Sequence, residues 1–177
     1  GNARLRMGRQ ISRYLIDNGR RNQRLVALHV DHNAVVRQVQ QIAGLGQPVA
    51  PAKTTVTFPA VGDYRVWVRT KDWVAHWNAP GTPGRFQLVV NGQPVAAEFG
   101  TKGAEWHWQE GGKVTLPAGE VKIALHDLTG FAGRADAILF SKDASFTPPE
   151  GDALVAARSQ WNSPMGAEDQ GEFDLVV

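Results

Sequence analysis

The stretch from Tyr64 to Trp77 combines large aromatic rings with charged and hydrogen-bonding side chains. A sugar ring has apolar C–H faces that stack on aromatic side chains, and a rim of hydroxyls that hydrogen-bonds to polar ones. We therefore predict a carbohydrate-binding site. Its residues are Trp67, Arg69, Lys71, Asp72, Trp73, His76, Trp77, Trp106 and Trp108.

The tryptophans also admit a structural interpretation. Tyr64, Val66 and Val68 alternate with residues of a second face on which Trp67 stands between two arginines. That second face should be polar, so a tryptophan there indicates either a ligand or a cap over the open end of a small β core. Face assignment from sequence does not separate the two readings.

Catalytic groups are sparse, and we predict no catalytic residue. His126 and Asp127 are adjacent, so in a strand they point to opposite faces and form no simple dyad. Asp127 and Asp136 are the first candidates for ligands of a structural calcium ion, although aspartates in loops usually cap turns.

A second candidate metal site lies near the N-terminus. His29 and His32 flank Asp31 at a spacing that mimics metal ligands, but no third ligand lies within reach in the sequence. We therefore predict no transition-metal site there.

The amino-acid composition and the distribution of charge exclude several classes of protein. The 177 residues contain no cysteine, which excludes disulfides and a cysteine nucleophile, and no apolar run approaches the roughly 20 residues of a membrane span. The net charge of +2 divides into +6 over residues 1–37 and −4 over the rest. The eight arginines of the basic segment are not interleaved with stacking aromatics, so nucleic acid is not a predicted partner.

Short apolar runs separated by turn residues predict an all-β fold. Nineteen glycines and ten prolines lie mostly between these runs, and Asn91-Gly92 marks a tight hairpin. We predict an antiparallel β-sandwich or jelly roll with short helical extensions at both ends. The helices are expected over 34–43 and 152–161, whereas residues 1–24 fit either a helix or two strands joined by a turn at 17–20.

The chain is expected to divide into four parts. Residues 1–24 form a basic extension, 25–149 the β-sandwich, 150–171 a helix and linker, and 172–177 the first strand of a further domain cut short. We expect this last strand either to be disordered or to pair with an exposed edge of the sandwich or of another molecule, which would allow self-association. A native edge strand of the sandwich is the alternative.

From about Gln41 to Pro149, roughly 60% of the chain, the sequence resembles the golvesin/xanthan-lyase-type carbohydrate-binding-like β domain. The resemblance is carried by 64–77, Pro83-Gly84-Arg85-Phe86, Asn91-Gly92, 99–101, 106–109, 125–131, Gly133-Arg134 and Asp136. In polysaccharide-degrading bacteria this type of domain often precedes an FAD-dependent oxidoreductase domain. The segment from Glu172 to Val177 resembles the opening strand of such an oxidoreductase domain. Residues 1–40 depart from the family pattern.

The resemblance implies an accessory module that binds polysaccharide, next to its own catalytic domain, in a secreted or periplasmic protein. FAD would then belong to the following domain, because this chain lacks the glycine-rich turn that holds a dinucleotide. The alternative is a structural module that docks on the catalytic domain without affinity for sugar. An independent hydrolase is a third hypothesis, without an assembled acid–base pair behind it.

Overall fold

Two antiparallel sheets form the fold in the computed structural model, which describes residues 11–15, 25–30, 52–129 and 133–161. The strands within these ranges are β1 Ile11–Leu15, β2 Leu25–Val30, β3 Ala52–Phe58, β4 Gly62–Thr70, β5 Phe86–Val90, β6 Gln93–Phe99, β7 His107–Leu116, β8 Gly119–Asp127 and β9 Ala135–Ser141. A short 3₁₀ helix spans Ala75–Trp77, and helix α1 spans Gly151–Trp161.

The larger sheet has the strand order β1-β2-β9-β4-β7, and the smaller has the order β3-β8-β5-β6. Every paired strand is antiparallel to its neighbour. The predicted antiparallel β-sandwich is therefore confirmed. Within the described part of the chain, no helix is long and apolar enough to cross a membrane.

The core lies between the two sheets and is filled by every second residue of the central strands. Tyr64, Val66 and Val68 of β4 are fully buried, as their alternation predicts. They meet Leu88 of β5 and Ile123 of β8 from the opposite sheet in one cluster. This core holds the loops at each end of the sandwich in place.

Helix α1 covers part of the outer face of the larger sheet. Its Leu154 is buried and packs with Leu139 of β9, and Phe146 and Ala157 are partly buried beside them. The sequence predicts this helix over 152–161, and the structure places it at Gly151–Trp161. The larger sheet is thus buried on both faces at this position.

Two local predictions differ from the structure. Residues 106–109 and 114–116 are predicted as separate strands, but one strand, β7, runs through Gly111 and Gly112 with a bulge opposite Val66 and Trp67. Residues 11–15 form an edge strand of the larger sheet, although the sequence assigns them to an extension over 1–24. A short strand paired to β2 is the second of the two alternatives considered for that segment.

Four predicted features lie outside the described residues: the helix over 34–43, Asp31 and His32 of the candidate metal site with His29, the linker over 162–171, and the strand over 172–177. They stay predictions.

Tyr64 offers a test of the core. Burial raises the pKa of its phenol above the ordinary value of 10.0, and the hydroxyl donates a hydrogen bond of 2.7 Å to the carbonyl oxygen of Ala60. Tyr64→Phe should lower the free energy of unfolding at neutral pH by about 1 kcal/mol, because that hydrogen bond is lost. Urea unfolding of both proteins measures the difference.

The same pair of proteins predicts a pH dependence. Since the pKa of Tyr64 is raised in the folded state, the unfolded wild type loses its phenolic proton first, and wild-type stability falls as the pH rises above about 10. The phenylalanine ring of the variant does not titrate, so the gap between the two proteins should narrow at alkaline pH. A gap that is constant up to about pH 11 would contradict the raised pKa.

Candidate functional site

Three loops meet at one end of the sandwich, and we call this region the loop end. Its loops are 71–85, 100–106 and 128–134, of which 130–132 lie outside the described residues. The Asp72 amide donates to the carbonyl oxygens of Lys102 at 3.1 Å and Gly103 at 2.8 Å. The Thr129 hydroxyl donates to the carbonyl oxygen of Pro83. These bonds fix all three loops against one another.

The most exposed tryptophan of the loop end is Trp77. It ends the short 3₁₀ helix and is 67% exposed, which makes it one of three large exposed hydrophobic side chains in the described residues. Trp73 meets it edge to face, with ring centroids 5.9 Å apart and planes at 75°. His76, also exposed, meets it at 5.8 Å and 82°. Trp77 and its two neighbours therefore form an aromatic platform that faces solvent.

Arg134 supports the platform from the third loop. Its guanidinium carbon lies 5.0 Å from the centre of the Trp73 ring, a cation–π distance that fixes the ring orientation. Burial lowers the pKa of Arg134 below its ordinary value. Arg134 is not among the site residues predicted from the sequence, because it lies 61 positions from Trp73 and only the fold brings the two loops together.

Glu105 adds a carboxylate to the rim of the platform. Its side chain is 84% exposed, and an oxygen lies 4.0 Å from Nδ1 of His76. The platform thus has a hydrogen-bond acceptor and an imidazole beside its exposed ring. Glu105 is likewise not among the residues predicted from the sequence.

Trp106 lies deeper at the loop end, under two cations. The Nζ of Lys71 is 5.2 Å from its ring centre, and the guanidinium carbon of Arg69 is 5.6 Å away. Arg69 also donates to an oxygen of Asp136 at 2.7 Å, and its Nε lies 3.8 Å from a carboxylate oxygen of Glu150. Arg69 is therefore held by an ionic network that connects β4, β9 and the start of α1.

Asp72 has a structural environment. It is only 7% exposed, and its carboxylate accepts a hydrogen bond of 3.2 Å from the amide of Val74. An aspartate that bonds the amide two residues on stabilises a turn. Asp72 therefore shapes the loop that presents Trp73 and Trp77.

Trp67 and Trp108 lie away from the loop end platform. Both are partly buried on the outer face of the larger sheet and pack with Leu139 and Leu154. The indole of Trp108 donates a hydrogen bond of 2.9 Å to the carbonyl oxygen of Pro149, two residues before α1 begins. Of the nine predicted residues, these two serve the packing of α1 in this structure.

The two aspartates predicted as calcium ligands have protein partners. Asp127 accepts from the Thr129 amide at 3.0 Å, which is a turn bond, and Asp136 is paired with Arg69. Within the described ranges, no three His, Cys, Asp or Glu side chains group in a way that could hold a metal ion. The calcium assignment stays a prediction.

Comparison with known proteins gives structural similarities only. The sequence matches no protein-family model and no curated protein. Among solved structures, a family 35 carbohydrate-binding module from Paenibacillus barcinonensis is 12% identical, with a TM-score of 0.42, over 76% of this chain and 90% of that one. A module of the same family from an environmental isolate is 17% identical, with a TM-score of 0.40, over 60% of this chain and 74% of that one.

The chain also aligns with 26% of a GH26-CBM35 β-(1,4)-mannanase from Podospora anserina. The identity is 14% and the TM-score 0.44, over 78% of this chain. All three TM-scores are below 0.5, so these similarities assign neither a family nor a ligand to the chain.

Proposed function

We propose that this chain is a non-catalytic carbohydrate-binding module and that its glycan-binding surface is the platform of the loop end. The observation that carries the proposal is the exposure of Trp77, which stands beside Trp73, His76 and Glu105. A flat, solvent-facing indole suits the apolar face of a pyranose ring, and a stacked ring contributes about 1 kcal/mol, taking aromatic pairs as a guide.

The polar groups around the platform suit the hydroxyl rim of the same sugar. Glu105 offers acceptors, and His76 offers a donor or an acceptor according to its tautomer. Lys71 remains partly exposed next to Trp106 and adds a cation. Arg69 and Asp72, by contrast, are occupied by protein partners and position the loops around the platform.

Trp77→Ala tests the proposal. We expect roughly fivefold weaker retention in affinity gels that contain a polysaccharide bound by the wild type, because a stacking contribution of about 1 kcal/mol is lost. Val61→Ala is the matched control: Val61 is 66% exposed but lies in the turn between β3 and β4, at the opposite end of the sandwich. Its retention should equal that of the wild type.

Two results would count against the module. Equal retention of Trp77→Ala and wild type on every glycan that binds would remove the platform from the site. A wild type retained by no polysaccharide would favour the second candidate function, an interaction module that docks on a catalytic domain. The observation in favour of that candidate is the partial burial of Trp67 and Trp108 against Leu154 of α1, which gives two of the predicted ligand-binding rings a packing role.

We further propose that the module belongs to a secreted or periplasmic polysaccharide-processing protein with an FAD-dependent oxidoreductase domain after Val177. The support is the sequence resemblance described above and the apolar run Leu175-Val176-Val177. A glycine-rich dinucleotide turn directly after this run in the complete gene product would agree with the proposal, and its absence would contradict it.

A further inference from the structure

A groove of about 970 Å³ lies on the outer face of the smaller sheet. The inward residues of β8 and β5, such as Ile123 and Leu88, are buried in the core, so the intervening residues of these strands face away from it. The groove is at the upper end of the size range of small-molecule sites. It shares no lining residue with the platform of the loop end.

The floor of the groove is apolar. Ala124 of β8 pairs with Val89 of β5, and Val89 pairs with Pro94 of β6, so the three side chains form one row across the sheet. The row continues on the other side of Ala124 to Lys53 of β3. A ligand lying along this row would contact hydrocarbon in the middle and an ammonium group at one end.

The rim of the groove carries two lysines and one histidine. Lys122 and His126 lie two residues to either side of Ala124 on β8, and therefore on the same face, roughly 13 Å apart along the strand. Together with Lys53 they give a lining that, among the described residues, contains no acidic side chain.

The acidic side chains of this face lie outside the groove. Glu120 lies two residues before Lys122 on β8. Glu98 of β6 lies opposite Gln87 of β5, and its carboxylate pairs with Arg85 at 3.5 Å. The field inside the groove is therefore positive, and it favours an anionic ligand.

We infer that this groove is a second binding site, for an acidic saccharide whose ring faces lie on Ala124, Val89 and Pro94. Its carboxylate or sulfate groups pair with Lys53 and Lys122, and Gln87 and Thr55 on the lining hydrogen-bond its hydroxyls. The inference rests on the proposed carbohydrate-binding function and adds an acidic ligand class at a separate surface.

Lys53→Gln/Lys122→Gln tests the site by isothermal titration calorimetry with tetragalacturonic acid. The double variant should bind at least tenfold more weakly than the wild type, because two charge-assisted contacts are lost. Raising NaCl from about 0.05 M to about 0.5 M should weaken the wild type and leave the variant nearly unchanged, since salt screens the lysine contacts. Melting temperatures of the two proteins should agree, because both lysines are exposed.

Lys113→Gln/Lys142→Gln is the control, since it removes the same charge from exposed lysines outside the groove. It should bind like the wild type. Equal losses in the two double variants would mean that only net charge matters and would overturn the site. So would full affinity of Lys53→Gln/Lys122→Gln, or a wild type that binds no acidic probe.

The same titrations are made with two further probes, a sulfated tetrasaccharide from κ-carrageenan and neutral cellotetraose. The tighter of the two acidic probes identifies the anionic group that the groove prefers. Trp77→Ala is titrated with the same probes, so that loss of the platform and loss of the groove are read separately. Groove binding that persists in Trp77→Ala supports two sites, whereas its complete loss there would place the acidic ligand on the platform and overturn the inference.

Discussion

Gly100→Ala is expected to lower the free energy of unfolding by about 3 kcal/mol. Gly100 has a φ of +80°, where an alanine costs roughly 1 to 2 kcal/mol. Its methyl group would also overlap the carbonyl oxygen of Gly84 and lie 3.3 Å from the Phe86 ring, and overpacking of this kind costs roughly 1 to 3 kcal/mol more. Urea unfolding monitored by tryptophan fluorescence measures the change.

Gly92→Ala separates the two contributions. Gly92 has the same φ of +80°, but a methyl group there would meet no heavy atom within 4 Å. The control should therefore cost only about 1 kcal/mol, from backbone strain alone. Equal losses at both positions would show that the loops at Gly84 and Gly100 yield without cost, and that the loop end is softer than its contacts indicate.

Asp136→Asn is expected to cost about 3 kcal/mol, at the lower end of what breaking a buried ion pair costs. The side chains of Arg69 and Asp136 are 16% and 14% exposed, so the variant leaves a guanidinium with little access to water. Glu150 remains 3.8 Å from Nε of Arg69 and limits the loss. Thermal and urea unfolding both report this change.

Glu110→Gln is the matched comparison for that ion pair. Glu110 pairs with Arg65 at 3.1 Å on the same sheet, but its side chain is 45% exposed. Solvent screening should hold the cost of this variant below about 1 kcal/mol. If the two variants cost the same, burial does not strengthen the Arg69 pair, and the ionic network at the loop end has no special role in stability.

Local patterns in the sequence were sufficient for most of the fold. Asn91 and Gly92 both have positive φ, as a two-residue hairpin turn requires, and they join β5 to β6 where predicted. The alternation of Tyr64, Val66 and Val68 identified the buried face of β4. Such features depend on residues that are neighbours in the chain, so they can be predicted from the sequence.

The surroundings of each tryptophan depend on distant residues, and the sequence did not separate them. Trp67 and Trp77 are both large aromatic residues next to basic residues. Helix α1 packs on Trp67, however, whereas Trp77 is exposed to solvent. The difference arises from Leu154, which lies 87 positions after Trp67. For the same reason Arg134 and Glu105 became visible only when three loops were placed together.

The bulge in β7 has a consequence for how this strand can vary. Gly112 lies opposite Val66, and Glu110 lies opposite Trp67, so Gly111 is an extra residue that shifts the alternation of β7 by one. Trp108 before it lies on the helix side, whereas Leu116 after it lies in the core, although both have even numbers.

At Gly111 the alternation of side chains between the two faces of β7 therefore shifts by one residue, which divides the strand into two halves. A methyl group on Gly111 would come within 3.0 Å of Phe99, which favours glycine at the shift. Because of the shift, substitutions over 107–110 are constrained by the helix and the loop end, and those over 112–116 by the sandwich interior. The two halves can diverge independently, and deletion of Gly111 would remove the bulge while both halves keep their present partners and faces against β4.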